Sequence, residues 1–508
     1  MSFACEGIIA SNSNASNSSA SGTSNIATIS KTSSPSSSIA TNASKFEASR
    51  SRCYAVENPG EVFDQSEYRA LGWIPAAVIL LTLCFATGVL PIPATFSVLG
   101  YVPGLLVLLG FGALTTYYAY IMYVFRMRYA GIHNIADAAG MVGGPPCLAR
   151  GGWRSVHCSL DVSKPLLILA GHAELQRLTL NRLASGAGFV GLAQGFKALS
   201  SRNVCNTVWT LVAAVCTALL ASIQTLGKLT IFTWIGFASL FTAVFIIVIG
   251  VTQVDRPAAA PQEGPFDIGV VTIGAPAVAP GLTAAVNIFA AFSSTPTFMP
   301  VIAEMKAPRA FKKSLFSSQI VLFICHVTMS LVVYLYCGKY VASPALGSAG
   351  GLLMKIAHGI SIPGFIMTCT LRVHLAAKTL VVRSLRHSEH LQNRSFTHWA
   401  VWLYVGSTIG ISSLAFICAG AVPFFSYLIG LHGALCLAPT CLVIPAWMGL
   451  YMDWELRRTS WKKRGVCHLH MFTVMVGLFM TVGGTTTTIQ SIVDAYEAGS
   501  VGTPFSCT

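Results

Sequence analysis

Charge is what this sequence lacks. Only 10% of its 508 residues are Asp, Glu, Lys or Arg, where soluble domains carry about 25%. With 54% hydrophobic residues and a mean hydropathy of +0.65, the chain has too few polar side chains to cover a water-facing globule of its size. Acid is scarcest: 18 Asp and Glu stand against 32 Lys and Arg, a formal charge of +14. A basic excess points to nucleic acid when it forms a patch. Here it is scattered between apolar runs, which excludes a nucleic-acid partner and fits the cytoplasmic Lys/Arg excess of membrane proteins. A disulfide scaffold is missing too. The 15 cysteines mostly lie inside apolar runs, among them Cys84, Cys216, Cys325, Cys369 and Cys441, where Cys behaves as a small hydrophobe. Cys467, His468 and His470 lack the second ligand pair of a zinc site, so no metal is expected. No intramembrane pair of acids or of His and carboxylate occurs, and no enzymatic activity is expected.

What is present divides the chain in two. Residues 1–68 are a Ser/Asn-rich tail, about a third Ser over the first fifty, and cannot bury enough apolar area to offset ordering entropy. No basic start precedes an apolar core, so this is no signal peptide. The tail is expected to be disordered and cytoplasmic, its sequons at Asn14, Asn17 and Asn42 following from composition alone. Residues 69–508 form a transmembrane domain embedded in the lipid bilayer. Apolar stretches long enough to cross it run at about 71–99, 104–125, 205–223, 229–251, 280–303, 316–338, 356–382, 399–419, 424–451 and 468–492. With the tail inside, the inner loops carry Arg126, Arg128, Lys228, Lys306, Arg309, Lys312, Lys313, Arg383, Arg386, Arg394 and the group from Arg457 to Arg464, whereas the clear outer loops hold Arg256 and Lys339. This alternation obeys the positive-inside rule and requires one more span between Phe125 and Cys205. About eleven crossings follow, with the C-terminus outside.

Two spans are expected to be broken. The first reads Gly88-Val89-Leu90-Pro91-Ile92-Pro93 near its middle, and the sixth reads Phe292-Ser293-Ser294-Thr295-Pro296 and then Pro300. Proline lacks an N–H and clashes with the preceding turn, and backbone freed at membrane depth must be buried in protein or line a cavity. Interrupted helices in corresponding positions are a sequence pointer to a transporter site between repeats. Half-helix N-termini there offer N–H groups to an anion. Pro439 and Pro445, in the last span but one, are read as simple kinks.

The sequence around the first break, continuing through Leu99-Gly100-Tyr101-Val102-Pro103-Gly104 and Gly112-Ala113-Leu114-Thr115-Thr116-Tyr117, resembles the amino acid/auxin permease family, in particular its fungal neutral amino acid permeases. Asn134-Ile135-Ala136-Asp137-Ala138, Glu304-Met305-Lys306-Ala307-Pro308-Arg309, Ser343–Gly350, His374-Leu375-Ala376-Ala377-Lys378 and Gly499–Cys507 continue the likeness in order. It implies an all-α polytopic protein of about eleven transmembrane helices, a five-plus-five inverted repeat with discontinuous helices 1 and 6. It also implies proton-coupled symport of neutral amino acids across the plasma membrane, the proton being the coupling ion and no other cofactor being needed. Oligomeric state does not follow from it. Three alternatives stay open: a transporter-like amino acid receptor, a vacuolar exporter, and an inactive protein if the third span is absent.

By the same resemblance, Thr87, Gly88, Val89 and Leu90 give backbone contacts to the substrate carboxylate, and Ser293, Ser294 and Thr295 face its ammonium. Asn287 either joins that cavity or makes an interhelical hydrogen bond, worth about 0.6 kcal/mol in membrane bundles. Phe289 and Phe292 shape the side-chain pocket, the alternative for either alone being plain core packing. No charged residue is expected near either break, which fits a neutral ligand side chain. Ionisable residues within spans are costly and functional by default, which makes Arg372, His374 and Lys378 coupling candidates. His titrates near pH 6.5 when unperturbed. Lys378 either couples or snorkels to the inner face, and Glu304 either forms an inner gate with a basic residue or caps its loop. Some relatives carry an acid just before the first break, about where this chain has Leu83.

Residues 146–186 are anomalous. Arg150, Arg154, Asp161, Lys164, His172, Glu174, Arg177 and Arg182 fall where the third span should run, and the apolar piece 165–171 is far short of the ~20 residues a crossing needs. A shifted reading frame, a surface helix using Leu175, Leu178, Leu180 and Leu183, and a small extramembrane domain are the three readings.

Overall fold

The computed structural model describes residues 71–129, 132, 135–143, 182–200, 204–223, 226–384, 398–422, 424–454 and 461–498. The tail 1–68 and most of 146–186 lie outside these. Two compact units are distinguished, one holding 1–61 with Tyr129–Ile132, the other Val62–Arg128 with His133–Thr508. Of the first unit only Tyr129 and Ile132 are described; the architecture below is that of the second.

The described residues are helical, with no strand beyond one isolated parallel bridge between Leu71 and Met305. Helix is what a lipid solvent imposes, since backbone groups there must be satisfied within the segment. In chain order the helices are α1 (Trp73–Gly88), α2 (Ile92–Leu99), α3 (Tyr101–Arg128), α4 (Ile135–Gly143), α5 (182–199), α6 (Asn206–Ala221) and α7 (Leu226–Gln253). They continue with α8 (Val278–Phe292), α9 (Phe298–Glu304), α10 (Phe311–Cys337), α11 (Gly351–Ser384), α12 (His398–Ala421), α13 (Phe425–His432), α14 (Ile444–Asp453) and α15 (Trp461–Glu497). Eight segments of the described chain are long and apolar enough to cross a membrane. Two shorter apolar helices, Trp73–Phe85 and Asn206–Ala221, accompany them.

Burial decides which segments are central. The span from Val278 to Glu304 and that from Phe425 to Asp453 are each 83% buried, against 28–44% for the other six. An outer helix such as α15 instead turns Phe472, Met475, Phe479 and Val482 outward at three- and four-residue spacing, an apolar stripe suited to lipid. The middle of the chain packs by close backbone approach, as membrane helices do where small residues meet. A Cβ on Gly364 of α11 would lie 2.8 Å from the Gly236 carbonyl of α7.

The central span Phe425–Asp453 departs from the sequence reading. Its middle, Gly433–Val443, is π-helical over 11 residues and contains Pro439, whereas π-turns are usually single bulges. Pro445 sits at the start of α14, where a missing N–H costs little. What reads as two kinks is thus one wide-bore segment bounded by a helix start. Residues 182–186, the end of the anomalous stretch, open α5, and every residue from Leu183 to Ala193 is buried. Gly186 of this helix packs on α12 at Ala415 and Cys418, and Gly188 on α11 at Cys369. Cys205, just before α6, is disulfide-bonded, unlike Cys84, Cys216, Cys325, Cys369 and Cys441, which are free.

Candidate functional site

Both expected breaks are present. Helix α1 ends at Gly88 and α2 begins at Ile92, leaving a turn of Val89, Leu90 and Pro91, with Val89 and Leu90 fully buried. Pro91 and Pro93 cannot donate to the carbonyls four residues back, so the ladder opens at Thr87 and Val89. The Leu90 carbonyl is taken up from outside the helix, by the Ala345 N–H at 3.1 Å. In the second broken span α8 ends at Phe292, and Ser293 takes φ −100°, ψ 75°. A 3-10 turn over Thr295–Thr297 then leads into α9.

The two breaks touch. A Cβ on Gly88 would stand 2.8 Å from the Ala291 carbonyl and 3.0 Å from its Cα, so α1 and α8 meet backbone to backbone at the turn before each break. Gly88 is the last helical residue of α1, not part of an unwound stretch, and its need for glycine comes from this approach. Thr87 lies in the same last helical turn. Across the contact, Ser294 Oγ donates to the Leu83 carbonyl at 3.3 Å, and Thr368 Oγ1 of α11 donates to the Thr82 carbonyl at 3.2 Å. Ser293 Oγ donates to the Phe289 carbonyl at 2.7 Å, which uses its proton within α8. Thr295 Oγ1 and Asn287 Oδ1 are buried with no hydrogen-bond partner among the described residues. Asn287 faces α13 and α15, its Oδ1 lying 3.3 Å from where a Gly430 Cβ would stand, beside Thr488. The π-helical segment packs on the 3-10 turn of the second break.

The expectation that no charge lies near either break is overturned. Arg372 of α11, 3% exposed, donates through Nη2 to the Leu83 carbonyl, the same oxygen that Ser294 reaches. The guanidinium therefore lies at the backbone of Leu83, ahead of Gly88 on the same helix. Sequence reasoning missed it because 289 residues separate the partners.

The remaining coupling candidates gather elsewhere. Glu304, at the end of α9, pairs with Lys378 of α11, Oε1 to Nζ 2.6 Å, the two side chains 7% and 17% exposed. Beside them the start of α1 is tied down, since Leu71 N–H donates to the Glu304 carbonyl at 3.1 Å and Lys306 N–H to the Leu71 carbonyl at 2.9 Å. His374, one turn before Lys378 on the same helix face, directs Nδ1 at the Ile223 carbonyl at 3.0 Å and at the Tyr404 hydroxyl at 2.7 Å. Tyr404 donates to the Ala221 carbonyl at 2.7 Å. Arg372 thus parts company with His374 and Lys378, as a two-residue step on a helix requires. Tyr404 and His326 of α10 were not among the sequence candidates. His326 carried a signal, an ionisable ring inside an apolar run.

A sequence profile described as transmembrane amino acid transporter protein matches residues 185–490, more than half of the chain. A protein named transmembrane transporter from Gibberella moniliformis is 36% identical over 452 residues, 88% of this chain and 90% of that one. One of the same name from Fusarium pseudograminearum is 35% identical over 453 residues, with the same shares of the two chains, 88% and 90%. The N amino acid transport system protein of Neurospora crassa is 26% identical over 449 residues, covering 87% of this chain and 89% of its own. The chain is an integral membrane protein and belongs to the transmembrane amino acid transporter family.

Proposed function

We propose that the chain is a secondary active transporter of neutral amino acids, a proton symporter of the plasma membrane built as a five-plus-five inverted repeat. The observation that carries this reading is the direct contact of the two broken helices at Gly88 and Ala291. Around it lie backbone groups that no regular helix could expose at membrane depth. The turn Val89–Pro91 receives the substrate carboxylate, and Ser294 and Thr295 face the ammonium. Phe292 walls the side-chain pocket. Arg372 fixes a positive charge beside the site, which favours the carboxylate and disfavours a cationic ligand side chain. Among the described residues Glu304 is the one buried carboxylate, and Lys378 already neutralises it, so none of these offers an unpaired buried acid to a basic substrate.

Coupling is assigned to the Glu304–Lys378 pair. A buried ion pair is held only while both partners are charged, and losing one charge leaves the other stranded. Protonation of Glu304 therefore releases Lys378 and, with it, the Leu71–Glu304 contact that ties α1 to α9. Loops rich in Lys and Arg support a cytoplasmic position for this end, and α5 serves as the third crossing in this reading; at 18 residues it is about 27 Å long.

Uptake of labelled neutral amino acids into cells or proteoliposomes carrying the full chain, with and without an inward proton gradient, tests the proposal. Gradient-driven accumulation is expected. Binding without accumulation would replace transport by the receptor reading, and accumulation without a gradient would remove proton coupling.

A further inference from the structure

His326 lies at the middle of α10, wholly buried, and neither ring nitrogen has a hydrogen-bond partner among the described residues. Its ring is held between the two broken helices. It stacks on Phe85 of α1 at 6.4 Å between centroids, interplanar 15°, and meets Phe292, the last residue of α8, edge-on at 4.7 Å. Phe323, one turn earlier on α10, closes on Phe292 at 5.0 Å, while Phe237 and Phe241 of α7 close on Phe85 at 5.7 and 6.2 Å. The imidazole thus lies against Phe85, three residues before Gly88, on one side and against Phe292, directly before Ser293, on the other.

A buried ring left without partners is unfavourable by the desolvation of both its nitrogens. Packing alone does not account for it, because a phenylalanine or leucine would fill the same space without that loss. Ordered water can satisfy such groups, but the neighbours named here are aromatic carbon and offer a water no further partners. What remains is a ligand that arrives bearing both a donor and an acceptor.

We infer that His326 selects the substrate's side chain, its ring hydrogen-bonding the carboxamide or hydroxyl of an uncharged polar amino acid such as glutamine, asparagine or serine. The inference rests on the reading of Phe292 as a wall of the side-chain pocket. A neutral imidazole carries one N–H and one bare nitrogen, which matches a group that both donates and accepts. The flanking phenylalanines exclude water, so the bond forms without competition. Polar side chains are thereby favoured over aliphatic ones of similar size, because only they repair the unsatisfied ring.

The test uses the full chain and compares uptake of glutamine, serine and leucine by the wild type, His326→Leu and His326→Asn, each normalised to protein in the membrane. The wild type is expected to take up glutamine and serine in preference to leucine. His326→Leu is expected to lower the glutamine-to-leucine ratio of kcat/KM by about three- to tenfold with leucine uptake kept, and His326→Asn to restore part of it. An unmoved ratio, or a parallel fall for all three substrates, would overturn the inference. Should the leucine variant fail to reach the membrane, the wild type decides. Glutamine must then compete for labelled leucine better than norleucine does, and a wild type that ignores glutamine overturns the assignment. A wild type that moves no amino acid at all would instead remove the transport reading on which it stands.

Discussion

Gly88 and Ala291 meet without side chains between them: a methyl on Gly88 would stand 2.8 Å from the Ala291 carbonyl oxygen. Both atoms are backbone, and each is held by its own helix. Neither can yield as a flexible side chain would. Gly88→Ala is therefore expected to push α1 from α8, with an overpacking cost of about 1–3 kcal/mol, and to reduce uptake severely. Gly88→Val is expected to abolish it while membrane insertion stays normal, since the helices still span. Uptake normalised to surface protein checks both, and wild-type transport by the valine variant would dissolve the site.

The Glu304–Lys378 pair gives a second expectation. Lys378→Met leaves Glu304 buried without its counter-charge, and breaking such a pair costs about 3–5 kcal/mol. Stability should fall, and the pH dependence of uptake should flatten, because no ion pair is left for a proton to break. Glu304→Gln should flatten it too. The double variant Glu304→Gln/Lys378→Met should recover stability relative to Lys378→Met alone, as no unpaired charge remains. Thermal unfolding in detergent and uptake from pH 5 to 8 are the measurements, and an unchanged pH profile in Lys378→Met excludes the pair from coupling.

The residues whose structure is set by their own neighbours in sequence were the legible ones. Pro91, Pro93 and Pro296 announce the two breaks because a missing N–H is visible without any partner. The partner relations were not legible. Arg372 reaches Leu83, Lys378 reaches Glu304 and His326 reaches Phe85 across separate helices, and no local pattern specifies which faces meet. The 11 π-helical residues from Gly433 to Val443 have the composition of an ordinary apolar helix, so Pro439 could signal only a bend. The helix over 182–199 was obscured by its flanks. Its glycines dilute the apolar signal of Leu183–Ala193, and Glu174, Arg177 and Arg182 stand just before that run.

Arg372 separates charge from shape. Its guanidinium reaches the Leu83 carbonyl beside the Ser294 hydroxyl, so one oxygen joins α1, α11 and the second break. Arg372→Lys keeps the charge but replaces a planar fork by a shorter point donor. Uptake is expected to fall at least about tenfold even though the cation remains. If lysine serves as well as arginine, the residue acts through its charge alone and the Leu83 contact is incidental.

Tyr404 and His374 provide the last expectation, and it runs the other way. The carbonyls of Ala221 and Ile223 lie at the C-terminal end of α6, where the helix leaves its final acceptors without intrahelical donors. Tyr404 donates to Ala221 at 2.7 Å, and His374 Nδ1 reaches Ile223 at 3.0 Å. With Nδ1 protonated, the ring donates to Ile223, and the Tyr404 oxygen accepts a share of the same proton while its own goes to Ala221. Each group is thereby committed to the backbone, and the arrangement pins α11 and α12 to the end of α6. Tyr404→Phe should cost no more than the range of interhelical hydrogen bonds in membranes, about 0.6–1.7 kcal/mol. It should lower the midpoint of thermal unfolding slightly and leave the pH profile of uptake where it was. Lys378→Met, one turn away from His374, should do the reverse to that profile. A shifted profile in Tyr404→Phe would move the proton site from Glu304 and Lys378 to the imidazole, because a residue that only pins helices has no proton to lose.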